Sequence, residues 1–138
     1  MGVGRDKRLQ VKQLQRVAQI DDTGCGIACL AMLLRKEYSW TKRLIFAHEP
    51  KHNNFRTDIT DLRKALSKVG HGLGRKTRLR GDDLNEQIGR RRAVVMMNKY
   101  CSRGELRWHW AVWDGFRLLD PWKYKRHQYV AYYLFKRQ

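Results

Sequence analysis

Cys25, His109 and Asp120 are a thiol, an imidazole and a carboxylate, and with Gln19 they supply the parts that thiol-based acyl transfer needs. Cys25 stands between Gly24 and Gly26, directly before the apolar run 27–34, which places it in the first turn of a helix. Backbone N–H groups without intrahelical partners and the helix dipole favour negative charge there, the setting of a thiolate nucleophile. The flanking glycines are expected to let a substrate backbone close on the sulfur and to permit a sharp entry into the helix. His109 and Asp120 lie on either side of Asp114-Gly115, a preferred pair for a two-residue type I′ turn. Such a turn sets Trp113 opposite Phe116, Ala111 opposite Leu118 and His109 opposite Asp120. Directly opposed residues share one face with Cβ atoms about 4.5–5.5 Å apart, so the carboxylate can take one imidazole N–H and leave the other nitrogen as a base. Gln19, six residues before Cys25, is near enough for its amide to fold back beside the sulfur. It and the Cys25 N–H would then donate to the oxyanion of a tetrahedral intermediate.

Each of these residues also has a plain structural reading. Cys25 and Cys29 serve equally well as buried core cysteines, and Cys29, one turn deeper in the helix, is assigned to the core. A histidine on a strand and an Asp-Pro at a strand end are common without any chemistry. Trp122 either shields the His109–Asp120 hydrogen bond from water or simply packs. His48, His52, His71 and His127 fall into no pattern with a nucleophile and are read as surface or core polar groups. Cys25 and Cys29 lack a second Cys or His pair at metal-binding spacing, so neither a metal nor another cofactor is called for.

Apolar periodicity supplies the elements that must hold these groups. A nearly all-apolar helix over 25–34 is expected to be buried on every side, with Arg35-Lys36 closing it. A weaker helical segment covers 41–48, followed by a polar loop over 51–54. In the next helix Ile59, Leu62, Ala65, Leu66 and Val69 share a face, with Thr57 or Asp58 as N-cap and Gly70 just past the end. A short helix over 82–88 ends at Gly89. The period then changes, and 93–98, 106–113, 116–119 and 129–135 read as strands. Helices first and an antiparallel sheet afterwards make an α+β fold, with the helices against one side or end of the sheet. The expected organisation is an extended basic leader over 1–16 and a single domain over 17–138.

The chain of 138 residues carries 30 Lys and Arg against 13 Asp and Glu, a formal charge of +17. That exceeds what solubility requires and points to an acidic partner, whether nucleic acid or an acidic protein or peptide. The excess is spread over 75–80, Arg90-Arg91-Arg92 and a tail over 121–138 with five basic residues and no acid. Three cysteines, an odd number, speak against a disulfide framework. With no membrane-length apolar run and no secretory signal, a cytoplasmic location without a membrane span is expected.

The run Gln19-Ile20-Asp21-Asp22-Thr23-Gly24-Cys25-Gly26-Ile27-Ala28-Cys29-Leu30-Ala31-Met32-Leu33, with His109-Trp110-Ala111-Val112-Trp113-Asp114-Gly115 and Leu119-Asp120-Pro121 behind it, resembles the papain-like cysteine peptidases. Within that group it is most similar to the bacteriocin-processing domains that remove double-glycine leaders. The resemblance spans roughly 17–133 and keeps the order Gln, Cys, His, Asp. It implies a papain-like fold and hydrolysis of a peptide or isopeptide bond. The implied roles are Cys25 as nucleophile, His109 as base and then acid, Asp120 as orienting carboxylate and Gln19 in the oxyanion hole. Two departures stand out: the family usually has an acidic residue directly before the cysteine, where Gly24 stands, and its members are often joined to a membrane transporter. Two alternatives stay open. One is a papain-like module that binds nucleic acid or an acidic protein through its basic surface, with the cysteine unused; the other is a deamidase or acyltransferase using the same thioester.

Overall fold

The computed structural model describes residues 13–47, 54–124 and 126–137. Residues 1–12 of the expected leader, Pro50, most of the 51–54 loop, and His48 and His52 therefore lie outside the described residues. The elements run α1 (Cys25–Leu34), α2 (Tyr38–Ile45), α3 (Ile59–Ser67), β1 (His71–Leu73), β2 (Thr77–Arg78), α4 (Leu84–Gln87), β3 (Ala93–Ser102), β4 (Glu105–Trp113), β5 (Leu118–Leu119) and β6 (Tyr129–Arg137). The strands form one antiparallel sheet in the order β1-β6-β3-β4-β5, with β2 also on β6. The fold is therefore α+β.

Helix α1 is buried from Gly26 to Leu33, as its unbroken apolar sequence requires. Its Cys29, Leu30 and Leu33 pack with Leu62 and Leu66 of α3 and with Val94, Trp110, Val112 and Tyr133 of the sheet. Across the sheet, Leu84 and Ile88 at α4 close over Val95, Trp113 and Tyr132. Helices thus cover both faces, and only the short α4 departs from the expected one-sided arrangement. Residues 13–16 carry no regular secondary structure. Leu14 is nonetheless wholly buried in the main core.

Helix α2 begins three residues earlier than its polarity pattern suggests. Tyr38 and Thr41, three apart on one face, are both buried, and that packing draws the helix start back to Tyr38. For α3, Asp58 is the N-cap and forms a capping box with Asp61. The other candidate, Thr57, is 5% exposed and packs inward.

The hairpin after β4 is not the two-residue turn expected from Asp114-Gly115. Trp113 pairs with Leu118 and Val112 with Leu119, so the loop holds four residues, 114–117. Asp114 itself causes this: its Oδ1 accepts the N–H groups of Phe116 and Arg117 at 2.8 Å each, and its own N–H donates to the Arg117 carbonyl at 3.1 Å. This side-chain turn keeps Asp114 out of the left-handed region that type I′ demands. A two-residue type I′ turn does occur, at Arg103-Gly104 (φ 50° and 77°), between Ser102 and Glu105 of β3 and β4. The register at the second hairpin is displaced by two residues from expectation, an even number. Since facing alternates with period two, Asp120 stays on the face that carries His109, now diagonal to it.

Candidate active site

Strand β5 covers β4 only at Val112 and Trp113, so among the described residues β4 carries no strand on that side from Glu105 to Ala111. The N-terminus of α1 meets this open stretch, and Cys25 lies where two cavities join. One, of about 220 Å³, is walled by Leu106, Trp108 and Trp110 with Thr57, Asp58 and Asp61. The other, of about 200 Å³, is walled by Gln19, Tyr100, His109, Trp122 and Tyr124. Arg56, Arg107 and Trp108 border both, so the pair forms one cleft with the thiol at its waist.

His109 Nε2 lies 2.6 Å from Asp120 Oδ1, with His109 5% and Asp120 9% exposed. Cys25 lines the same cavity as His109, and its side chain is one of the groups that raise the imidazole. With Nε2 engaged by Asp120, Nδ1 is the ring nitrogen left for a second partner. Asp120 Oδ1 also accepts the Trp122 N–H at 2.9 Å, while the Arg16 guanidinium and the Gln19 N–H hold the carbonyls of Asp120 and Pro121 at 2.6 and 3.1 Å. The carboxylate is thus fixed from both sides of the chain. Burial works against a charged imidazole, but the hydrogen bonds to Asp120 and Cys25 outweigh it, and His109 is pushed up to about 9. Cys29 one turn below is driven the other way by burial, its thiol held well above the ordinary range, so it stays neutral core. Asp120 and His109 are brought together, and Cys25 lines the same cavity as His109.

Gln19 reaches the cleft wall, but its amide is turned to the preceding loop. Nε2 donates to the carbonyls of Asp21 at 3.1 Å and Asp22 at 2.9 Å, which engages both hydrogens. The Cys25 N–H at the head of α1 has no intrahelical partner and is free to face the cleft. Trp122 contributes its backbone and is 44% exposed; the ring set edge-on against His109 is Tyr124, with centroids 4.7 Å apart.

The two glycines have a reason the sequence did not disclose. A Cβ on Gly24 would stand 1.9 Å from the Tyr38 hydroxyl, and one on Gly26 would stand 1.9 Å from Thr57 Oγ1. Gly24 has an ordinary φ of −92°, so conformational freedom is not what selects it. The Tyr38 hydroxyl donates to Asp21 Oδ2 at 2.8 Å and accepts the Asp21 N–H at 3.2 Å, while Lys42 Nζ pairs with the same carboxylate at 3.2 Å. Helix α2 thereby clamps the turn that delivers Cys25. The Tyr38 hydroxyl thus fills the space that a side chain at residue 24 would need.

His127 is a neighbour of Asp120 that the spacing of the sequence does not disclose. Its Nε2 lies 3.2 Å from Asp120 Oδ2. No spacing signals this, because residues 126–128 carry no regular secondary structure and their placement depends on tertiary contacts.

The raised His109 carries a stability consequence. Its folded pKa lies above the unfolded value near 6.5, so the stabilisation is complete below about pH 6.5 and is lost as pH rises through 9. The melting temperature of the parent is expected to fall between those limits relative to that of His109→Gln. Parallel melting curves for the two proteins across this window would contradict it.

Among the described residues no helix is long and apolar enough to cross a membrane. No protein-family model matches the chain, and no curated protein is significantly similar to it.

Proposed function

We propose that the protein is a cysteine peptidase of papain-like fold that hydrolyses a peptide or isopeptide bond in a peptide or protein substrate. The observation that carries this reading is His109 held by Asp120 while it lines one cavity with Cys25 and Gln19. The thiolate of Cys25 attacks the carbonyl carbon and forms a C–S bond, with the oxyanion facing the Cys25 N–H. Gln19 joins by exchanging one of its loop bonds. Collapse of the intermediate breaks the C–N bond, and His109 gives its proton to the departing amine. Water then attacks the thioester, losing a proton to His109, and the acid product leaves with the thiolate and imidazolium restored.

The rim of the cleft supports a peptide ligand. Tyr100, Leu106, Trp122 and Tyr124 are large, apolar and between 44% and 53% exposed, and all four line its cavities. Exposed aromatic groups gathered around one concavity are typical of recognition surfaces. Arg56, which lines both cavities with Cys25, suits an acidic residue near the scissile bond. Incubation with a mixed peptide library, read by mass, tests the reaction type. Addition of water to new termini marks a peptidase, loss of ammonia with gain of water marks a deamidase, and an amine adduct marks an acyltransferase. No Cys25-dependent product of any mass contradicts all three.

A second reading has its own observation. Arg75, Lys76, Arg78 and Arg80 are exposed around edge strand β2, and Lys136 and Arg137 are exposed at the end of the adjoining β6. A basic edge of this kind suits nucleic acid or an acidic protein. Binding that weakens steeply with salt and is indifferent to Cys25→Ala would place the function there.

A further inference from the structure

Asp120 has two carboxylate oxygens, and only one serves His109. Oδ1 is occupied by the His109 ring and the Trp122 N–H. Oδ2 is buried with no hydrogen-bond partner, 3.2 Å from His127 Nε2, a buried atom that is also without one. Two buried polar atoms without other partners rarely stand at this distance by chance, since each would carry an uncompensated desolvation cost. A small rotation of the imidazole about its own axis closes the bond and satisfies both.

The segment that presents His127 is held from outside. Asn98 sits at the irregularity in β3 between Met97 and Tyr100 with φ 52°, a left-handed conformation uncommon outside glycine. Its N–H donates to the Gln128 carbonyl at 2.8 Å, its Oδ1 accepts the Gln128 N–H at 2.8 Å, and its Nδ2 donates to the Arg126 carbonyl at 3.2 Å. The residues on both sides of His127 are therefore fastened to one asparagine. A non-glycine residue in this region persists where its surroundings hold it, and here the bonds that hold it are those that aim His127.

We propose that His127 is a positioning residue for Asp120: its Nε2–H holds Oδ2, which keeps Oδ1 on His109, and Asn98 fixes the loop that brings it there. This rests on the Cys25–His109–Asp120 reading given above. The other polar groups near this array are Tyr124 over His109, Tyr129 with its ring 6.1 Å from that of His127, and Arg16 on the Asp120 carbonyl. Among the described residues none of them reaches Oδ2.

The test uses His127→Phe, which keeps a ring and removes the donor, and His127→Gln, which restores an N–H. The readouts are the titration of His109, followed by NMR of nitrogen-15-labelled histidine, and the rate of Cys25 alkylation at pH 6.5. His127→Phe is expected to move the His109 titration down towards the ordinary histidine range and to slow alkylation by about tenfold, the scale of one buried acceptor left unpaired. His127→Gln is expected to recover most of both. Parent-like titration and alkylation in His127→Phe would overturn the proposal. If His127→Phe fails to fold, Asn98→Gly decides, since it keeps the left-handed backbone and removes the side-chain clamp; an unchanged His109 titration there overturns it. If Cys25 of the parent is no more reactive than an ordinary thiol, the peptidase reading falls, while the His109 titration still decides whether His127 holds Asp120.

Discussion

Asp120→Asn is expected to lower the rate of Cys25 chemistry by roughly 10²–10⁴, the range over which an orienting carboxylate and its base act. The asparagine can keep an oxygen where Oδ1 now accepts His109 Nε2 at 2.6 Å and the Trp122 N–H at 2.9 Å, so the loop has little cause to move. What disappears is the charge. Burial already works against a protonated His109, and the Asp120 hydrogen bond is the first of the contributions that overcome it, so without that bond's charge His109 falls back from about 9. The imidazolium then loses the charge that stabilises it, and the ring is held less firmly through Nε2. A kcat/KM within about threefold of the parent, with His109 titrating unchanged, would show that Asp120 is only structural.

Gly26→Ala is expected to destabilise the fold by about 1–3 kcal/mol, the usual cost of forcing a carbon into a filled core. The new Cβ would meet Thr57 Oγ1 at 1.9 Å, Thr57 Cβ at 3.1 Å and Leu62 Cδ2 at 3.3 Å. Thr57 cannot easily retreat, because it is 5% exposed and its carbonyl accepts the Trp110 indole N–H at 2.9 Å. The strain is therefore delivered to the first turn of α1, which carries Cys25. Adding Thr57→Ala removes the worst contact and should return part of the lost stability, a coupling that denaturant unfolding of the double mutant would measure. Strict additivity of the two substitutions would mean that this contact is not what selects glycine.

The sequence disclosed most of the elements and the pairing of His109 with Asp120, but not for the right local reason. Apolar run length gave α1, periodicity gave α3, and β-branched and aromatic density gave the later strands; these are local signals that packing did not override. The Asp114-Gly115 turn failed because the Asp114 side chain competes for the loop N–H groups, which a dipeptide preference does not register. The site survived because the register moved by two residues and left each side chain on its face. Tyr38, Thr57 and His127 were not legible, since each acts through a contact across the fold. Gly24 and Gly26 drew attention for their flexibility, whereas their lack of a side chain is what Tyr38 and Thr57 require.

The three cysteines allow a direct test within one molecule, because Cys25 is half-buried, Cys29 is buried and Cys101 is exposed. Limited alkylation at pH 6.5, read residue by residue by mass spectrometry, compares the proposed nucleophile with an ordinary surface thiol under identical conditions. A free thiol is only about 1% ionised there, so a thiolate nucleophile stands out against it, although its lower intrinsic nucleophilicity offsets part of the gain. Cys25 is expected to react about tenfold or more faster than Cys101, with Cys29 silent, and His109→Ala is expected to abolish that advantage. Labelling of Cys25 no faster than Cys101, or an advantage that survives His109→Ala, would contradict a thiolate activated by His109 and Asp120.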